Sequence, residues 1–338
     1  MGGACSYPTT TLPSSRTVIV TGANTGIGYE TAKAVAQMGA RVIVACRSEQ
    51  RAKEAIKKMQ EEHAKESKNT ALQENDRDQS SSDQLLVEYM HLDLSSLKST
   101  MDFVEAFKQT GHPLHVLVCN AGIAFANQTL TDDGYESHFQ VNYLSHLLLV
   151  LNLLPLMKMS GPDVRVVFVS SLMETWQRKL NIENIQGQQS YSSVTCYSSS
   201  KLFMIMAMYY LHNHFSSKEV TFCALHPGVV STEIARRLNQ DYTMLKFGLR
   251  VSEALGLAKS PKEGAVTTIN CAVNPELAGV SGVYYINCKA AQPSKLARNE
   301  EEQEKLWNYS IECLKGFVAE SVLSDLGLSG SSEVKATE

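Results

Sequence analysis

The run Thr17-Val-Ile-Val-Thr21-Gly22-Ala-Asn24-Thr25-Gly26-Ile27-Gly28 limits what this 338-residue chain can fold into more than any other stretch. Thr17 to Thr21 is unbroken β-branched sequence, the pattern of a strand buried on both faces. Gly22, Gly26 and Gly28 follow at once, and a helical pattern then carries Ile27, Ala34, Val35 and Met38. Strand, glycine-rich turn and helix in that order make a phosphate cradle. Glycine lets the turn tighten and the backbone approach a pyrophosphate, while the helix N-terminus offers unpaired N–H groups and the positive end of its dipole. The spacing is G-x-x-x-G-x-G rather than the more familiar G-x-G-x-x-G. A purely structural turn would account for the glycines but not for their place between strand and helix.

The alternation continues downstream. A second strand, Arg41 to Cys46, ends at Arg47, nineteen residues after Gly28. An acidic side chain there would grip the ribose 2′-OH of NAD, whereas arginine suits a 2′-phosphate, so NADP(H) is expected over NAD(H). Glu49, just beyond, is the one contrary sign. A charged amphipathic helix is expected from Glu49 to Lys65. Residues 66–84 are polar with almost nothing to bury and read as a surface insertion. The strand Leu85 to Leu92 leads to Asp93-Leu94, where Asp93 either accepts from an adenine amino group or caps the helix starting near Ser96. Leu114 to Cys119 runs into Asn120-Ala121-Gly122, small enough for close approach of a flat ligand or for a tight turn.

A long helical pattern from His138 to Met159 holds Asn142 among apolar neighbours, and a buried amide needs partners. Val164 to Val169 ends at Ser170-Ser171, Val220 to Leu225 at His226-Pro227-Gly228, and Gly282 to Ile286 forms a late strand. Strands alternating with helices predict an α/β chain: a Rossmann-type doubly wound parallel sheet with helices on both faces, in a single domain over 16–290. Residues 1–15 are expected to be a flexible lead, 291–324 a helical extension and 325–338 a flexible tail. Ligands on such sheets sit at the carboxyl ends of the strands, and Gly22, Arg47, Asp93, Asn120, Ser171 and His226 all follow strand ends.

Tyr197 and Lys201 stand one helical turn apart at the head of another helix, on one face. A phenol ordinarily keeps its proton until about pH 10, and a neighbouring ammonium favours the phenolate. The pair is therefore a candidate proton donor and acceptor, although such spacing also arises by chance.

Composition narrows the function classes. A net charge of -4 gives no electrostatic case for nucleic acid. Eight scattered cysteines with no C-x-x-C pair read as reduced thiols in a cytoplasmic setting. The longest apolar run, Leu147 to Leu156, falls short of a membrane span, and no secretory h-region opens the chain. Met1-Gly2-Gly3-Ala4-Cys5-Ser6 fits the N-myristoylation pattern with an adjacent palmitoylation site. Acylated Gly2 and Cys5 would together attach the protein peripherally to the cytosolic face of a membrane, which one chain alone does only marginally.

Taken together, Thr21-Gly22-x-x-x-Gly26-x-Gly28, Asp93, Asn120-Ala121-Gly122, Asn142, Ser171, Tyr197-x-x-x-Lys201 and Pro227-Gly228 resemble the short-chain dehydrogenase/reductase superfamily over Arg16 to Cys288. Ala45-Cys46-Arg47-Ser48, the long gap from Ser171 to Tyr197 and Gly282-Val-Tyr-Tyr-Ile-Asn-Cys288 are similar to the retinol dehydrogenase branch. Leu114 to Ala121 and Phe139-Gln-Val-Asn142 are similar to the oxidoreductase domain of the WW-domain oxidoreductases, although Trp176 and Trp307 are the only tryptophans and belong to no WW domain. The resemblance implies that Gly22, Asn24, Thr25, Gly26, Ile27, Gly28, Arg47, Asp93, Leu94, Asn120, Ala121, Gly122, Pro227 and Gly228 bind the dinucleotide with Tyr197 and Lys201. It further implies that Tyr197 exchanges the proton, Lys201 lowers its pKa and holds the nicotinamide ribose, Ser171 holds the substrate oxygen, and Asn142 organises a relay. Ser170 is the neighbouring rival of Ser171, and His226 is expected to position a loop.

The segment 229–257 is apolar at Ile234, Leu238, Met244, Leu245 and Phe247 and would form a flap suited to a lipophilic retinoid-, steroid- or prenyl-like carbonyl or alcohol, unless it simply packs on the sheet. Glu300 to Leu323 would cover the core, form a homo-oligomer contact or touch a membrane. A nucleotide-binding regulatory or scaffold protein on the same fold is the alternative, but it would not require the set Asn142, Ser171, Tyr197 and Lys201.

Overall fold

Thr17–Thr21 forms β1, buried along its whole length, and the chain is built outward from it. A computed structural model describes residues 6–74, 84–215, 218–230 and 258–328. The Gly2 and Cys5 acylation pattern and residues 231–257 of the expected flap lie outside the described residues. On one side β1 pairs in parallel with β2 (Arg41–Cys46) and then β3 (Val87–His91); on the other with β4 (Val116–Cys119), β5 (Val164–Val169), β6 (Val220–His226) and β7 (Val283–Ile286). The β-branched runs of β1, β5 and β6 are buried at every position, as strands covered on both faces require. One edge strand was not visible in the sequence: β8 (Lys289–Ala291) adds antiparallel to β7 after a turn in which Asn287 and Cys288 take positive φ.

Strand order β3-β2-β1-β4-β5-β6-β7-β8 reverses between β1 and β4, the point where a doubly wound sheet opens a crevice at its carboxyl edge. One layer contains α1 (Gly26–Gln37), α2 (Glu49–Glu74) and, on the far side of the switch point, α6 (Pro261–Val273), which packs on α1. The opposite layer contains α3 (Leu97–Gln109), α4 (Ser145–Lys158) and α5 (Ser193–His214). The two apolar clusters on the sheet faces correspond to these layers.

Several expectations change. Helix α2 does not stop at Lys65 but continues to Glu74, because Ala71, Leu72, Gln73 and Glu74 are all strong helix formers. The pattern from His138 to Met159 is not one regular helix: Phe139–Leu144 is a π-helical turn that opens into α4. Phe139–Lys158 is long and apolar enough to cross a membrane by length and composition, with mean hydropathy 1.3, yet 83% of its most apolar window is buried inside the fold. Among the described residues six cysteines are free thiols as expected, but Cys288 is disulfide-bonded, against the expectation of reduced thiols throughout.

The C-terminal stretch packs on the core. Helix α7 (Glu300–Cys313) lies on α5, and α8 (Glu320–Asp325) on α4. Trp307 is 2% exposed and stacks on Tyr210 with ring centroids 4.2 Å apart, while Tyr143 and Ser310 share a hydrogen bond of 2.8 Å. This is why α5 is buried nearly all round: the sheet covers one side and α7 the other.

Candidate active site

The cradle is shaped by what glycine permits. Gly22 and Gly26 have φ of 67° and 59°, where a Cβ is strained. Gly28 has no such torsion; its constraint is space, since a Cβ there would stand 2.5 Å from both Asn120 Nδ2 and the Gly22 carbonyl. Thr25 is the N-cap of α1, makes no side-chain cap bond and is exposed, and the first turn contains no acidic residue. The N–H groups at this terminus are therefore left for an anion, and the residues fit a dinucleotide pyrophosphate. Asn24 and Ile27 are partly buried beside them.

At the next strand end Arg47 is 66% exposed, with its guanidinium 3.8 Å from Asp93 Oδ2. Glu49 faces Lys53 at 2.7 Å. Asp93 Oδ1 accepts from the Ser95 N–H and hydroxyl at 3.0 and 2.6 Å, and the cap of α3 is supplied by Ser96 instead. The capping alternative for Asp93 is thus taken by another residue. Leu94 is buried, and its carbonyl accepts from the Ser145 hydroxyl.

The turn after β4 is tied back to β1: Asn120 Nδ2 donates to the Thr21 carbonyl at 2.8 Å, and the N–H groups of Asn120 and Ala121 both donate to Thr21 Oγ1 at 2.9 Å. Gly122 is the meeting point with the catalytic candidates. A Cβ added to it would lie 3.1 Å from Asn142 Oδ1 and 3.3 Å from Lys201 Nζ. The Asn142 amide is wholly buried and satisfied, accepting from Ile123 N–H at 2.8 Å and donating to the Ile123 carbonyl and to Ser200 Oγ, both at 2.9 Å. Its place in a π-helical turn fits the tendency of such turns to occur at functional sites.

Tyr197 and Lys201 are on α5, which is capped by Ser192 and enters the fold beneath the end of β5. Lys201 Nζ donates to the Val169 carbonyl at 3.0 Å and lies 6.0 Å from the centroid of the Tyr197 ring. Burial brings the Lys201 ammonium down to about 8, with a smaller opposing influence of Cys119. For Tyr197, burial raises the phenol and a hydrogen bond with Ser171 lowers it, leaving it above its ordinary value. Of the two influences on the phenol, burial is the larger, and the Lys201 ammonium is directed at a main-chain carbonyl.

The two serines separate cleanly. Ser170 is buried with its hydroxyl donated to the Lys201 carbonyl at 2.7 Å. Ser171 caps the 3-10 turn Leu172–Trp176, accepting from Met173 N–H at 3.3 Å, and also meets the Tyr197 phenol. It therefore caps and faces the candidate acid at once. Beside the phenol, Phe125 places its ring 5.2 Å from that of Tyr197, with Ala124, Met173 and Val194 in the same apolar cluster.

After β6, Gly228 has φ of 93° and donates its N–H to His226 Nδ1 at 2.9 Å. Burial and the charge of Lys259 bring His226 down to about 4, so it holds this turn as a neutral acceptor, as expected. Sequence reasoning missed Lys259, whose Nζ donates to the Pro227 carbonyl at 3.3 Å and to Asn287 Oδ1 at 2.7 Å. No local signal marked it, because its partners are distant in sequence. It also missed His146 and Glu174, both fully buried.

Cradle, Asn120 turn, Asn142, Ser171, Tyr197, Lys201 and the Pro227-Gly228 turn thus converge on the carboxyl edge of β1, β4, β5 and β6. Comparison with known proteins points the same way. The short chain dehydrogenase family matches residues 16–87 and 67–243. Human polyprenol dehydrogenase is 37% identical over 88% of this chain and 84% of its own length. The chicken (Gallus gallus) WW domain-containing oxidoreductase is 39% identical over 88% of this chain and 67% of its own length. Mouse (Mus musculus) retinol dehydrogenase 12 is 36% identical over 93% and 90%. Among solved structures, an uncharacterized protein from Mycobacterium Paratuberculosis superposes with a TM-score of 0.66 at 25% identity, covering 92% of this chain and 98% of that one. Motif, fold and kinship agree, and the chain belongs to the short-chain dehydrogenase family, on its retinol dehydrogenase-like branch.

Proposed function

We propose that this protein is an NADP(H)-dependent oxidoreductase that interconverts a carbonyl and an alcohol on a lipophilic substrate, with Tyr197 as proton donor and acceptor. One arrangement carries this reading. The Tyr197 phenol, bonded to Ser171, sits one helical turn from the buried Lys201, next to a glycine cradle at the switch point of the sheet. Hydride exchange with the substrate carbon is the chemistry the dinucleotide supplies when bound. Tyr197 gives its proton to the substrate oxygen in reduction and takes it back in oxidation. Ser171 donates to the same oxygen where negative charge develops. Lys201 Nζ and the Asn142 amide oxygen both lie beside Gly122, and Lys201 there can reach a ribose hydroxyl.

The NADP(H) preference rests on Arg47, largely exposed just past the end of β2 with its guanidinium 3.8 Å from Asp93, while Glu49 is engaged by Lys53. The lipophilic substrate class is supported by the apolar wall of Ala124, Phe125, Met173 and Val194 beside Tyr197, and by the exposed Leu172 and Trp176 on the turn that begins at Ser171. Relatives named for polyprenol and retinol fit that class.

The test is a panel of retinal, steroid ketones and prenyl aldehydes with purified protein, followed by the loss of NADPH absorbance. Turnover of at least one lipophilic carbonyl is expected. Tight NADPH binding with no turnover across the panel, in either direction, would instead favour a nucleotide-binding regulatory role.

A further inference from the structure

We propose that His146 is a positioning residue that locks the end of the nucleotide cradle to the helical turn carrying Asn142, using the neutral tautomer with its proton on Nδ1. The proposal rests on the oxidoreductase reading above for its kinetic consequence, but its geometry stands apart from it. His146 lies near the start of α4 and is fully buried.

The tautomer follows from counting donors and acceptors. Nδ1 lies 2.9 Å from the main-chain carbonyl oxygen of Asn142, a group that only accepts, so Nδ1 must donate. Nε2 lies 2.9 Å from Thr21 Oγ1. That hydroxyl already accepts from the N–H groups of Asn120 and Ala121, which occupy its two lone pairs. Only its proton remains to be placed. The candidate acceptors are the Val118 carbonyl at 3.3 Å and His146 Nε2 at 2.9 Å, and the shorter contact goes to the imidazole. An imidazolium would instead point a second N–H at an oxygen whose lone pairs are already used. Burial and the positive charge of Lys201 support the neutral form, bringing the imidazole down to about 3.

The result is one directed chain of hydrogen bonds. It runs from the Asn120 and Ala121 N–H groups through the Thr21 hydroxyl and the imidazole to the Asn142 carbonyl. The chain ends at that carbonyl, and the Asn142 side chain separately donates to the Ile123 carbonyl and to the hydroxyl of Ser200, the residue before Lys201. Thr21 is the residue before Gly22, the first glycine of the cradle. Through His146 the two halves of the site are thus held in one register.

Two substitutions separate the ends of this lock. His146→Asn keeps a donor near the Nδ1 position and gives up the acceptor for Thr21. His146→Gln keeps a polar group near Nε2 and gives up the donor to Asn142. For His146→Asn we expect NADPH dissociation constants raised about five- to tenfold, the scale of one lost hydrogen bond, with kcat near wild type. For His146→Gln we expect kcat lowered by a similar factor at saturating NADPH, measured with the panel carbonyl that turns over fastest, and an unchanged dissociation constant. Nitrogen-15 NMR of the wild-type histidines supplies a measurement independent of any variant: the His146 resonances should show Nδ1–H and no titration between neutral and mildly acidic pH. A proton on Nε2, or a titrating ring, overturns the proposal. So does an equal effect of both variants on affinity, kcat and thermal midpoint, which would mark packing alone. If wild type binds NADPH but turns over no carbonyl, the oxidoreductase reading fails by itself, and the NMR and affinity measurements still decide the lock.

Discussion

Lys201 holds its ammonium 6.0 Å from the centre of the Tyr197 ring and spends a hydrogen bond of 3.0 Å on the carbonyl of Val169, the last residue of β5. The two side chains share one helix face, but the lysine is fastened to the sheet rather than to the phenol. Ser170 reinforces the attachment from the other side by donating to the Lys201 carbonyl. Helix α5 is thereby fixed against the end of β5, and the Tyr197 phenol is presented to Ser171.

Tyr197→Phe removes the only proton that the proposed chemistry moves and leaves the packing against Phe125 in place. Turnover should fall by about a hundredfold to ten-thousandfold, the usual contribution of general acid–base catalysis. NADPH affinity, read by fluorescence titration, should stay within a factor of about two, since ring shape and Lys201 are retained.

Arg47→Asp places a carboxylate where a 2′-phosphate would lie and adds a second acid beside Asp93. The KM for NADPH should rise roughly tenfold to a hundredfold, the cost of losing a charge-assisted hydrogen bond, while that for NADH changes little or falls. Equal changes for both cofactors, in parallel steady-state assays, would remove Arg47 from the phosphate site.

Gly28→Ala puts a methyl group 2.5 Å from Asn120 Nδ2 and the Gly22 carbonyl. One of these groups is main chain and cannot step aside, so the cradle must open. Calorimetric titration should show NADPH binding weakened by more than tenfold, and the substitution should cost about 1–3 kcal/mol of stability, as overpacking commonly does.

Glu174 is fully buried with one oxygen accepting from Ser294 N–H and the other without a hydrogen-bond partner. Burial raises its carboxyl above the usual range. The raised folded-state pKa means that the carboxyl contributes most below the ordinary glutamate range, and that this contribution is lost as pH climbs through the raised value. Chemical denaturation from pH 4 to 8 should therefore show wild type losing stability relative to Glu174→Gln, by on the order of 1 kcal/mol for one desolvated group. A pH-independent difference between the two proteins would mean that Glu174 titrates alike in the folded and unfolded states.

Trp307→Ala should cost about 3–5 kcal/mol in urea denaturation, the range for removing a buried aromatic side chain. The indole stacks on Tyr210 and closes the outer face of α5, far in sequence from the cradle. NADPH affinity of the folded variant should be little changed, because α7 packs chiefly on α5.

Much of this molecule can be read in one dimension, and the reason is physical. A strand buried on both faces must be apolar at every position, so β1, β2, β5 and β6 announce themselves as runs of Val, Ile, Leu and Phe. Glycines at a strand-to-helix turn and a tyrosine one turn before a lysine are local patterns, set by backbone torsion and helix pitch. Alternation of strands and helices then limits the chain to a doubly wound sheet, and its ligand to the carboxyl edge. Those constraints placed Gly22, Arg47, Asp93, Asn120, Ser171 and His226 at strand ends, and the family resemblance added Asn142, Tyr197 and Lys201 to them.

The remainder depended on which distant residues the sheet order brings together. Nothing near His146 in the sequence reveals that Thr21 saturates its lone pairs on Asn120 and Ala121 and has one proton left for an imidazole. Nothing near Lys259 reveals the Pro227 carbonyl, and nothing near Glu174 reveals Ser294. The direction of the Tyr197 pKa also belongs here, since desolvation is a property of everything packed around a group and not of its neighbour one turn away. Sequence alone determined the fold, the cradle and the candidate proton donor, because local periodicity and backbone freedom encode them. Only the tertiary structure decided how those parts are held and charged, because hydrogen-bond saturation and burial are sums over contacts that no stretch of chain contains.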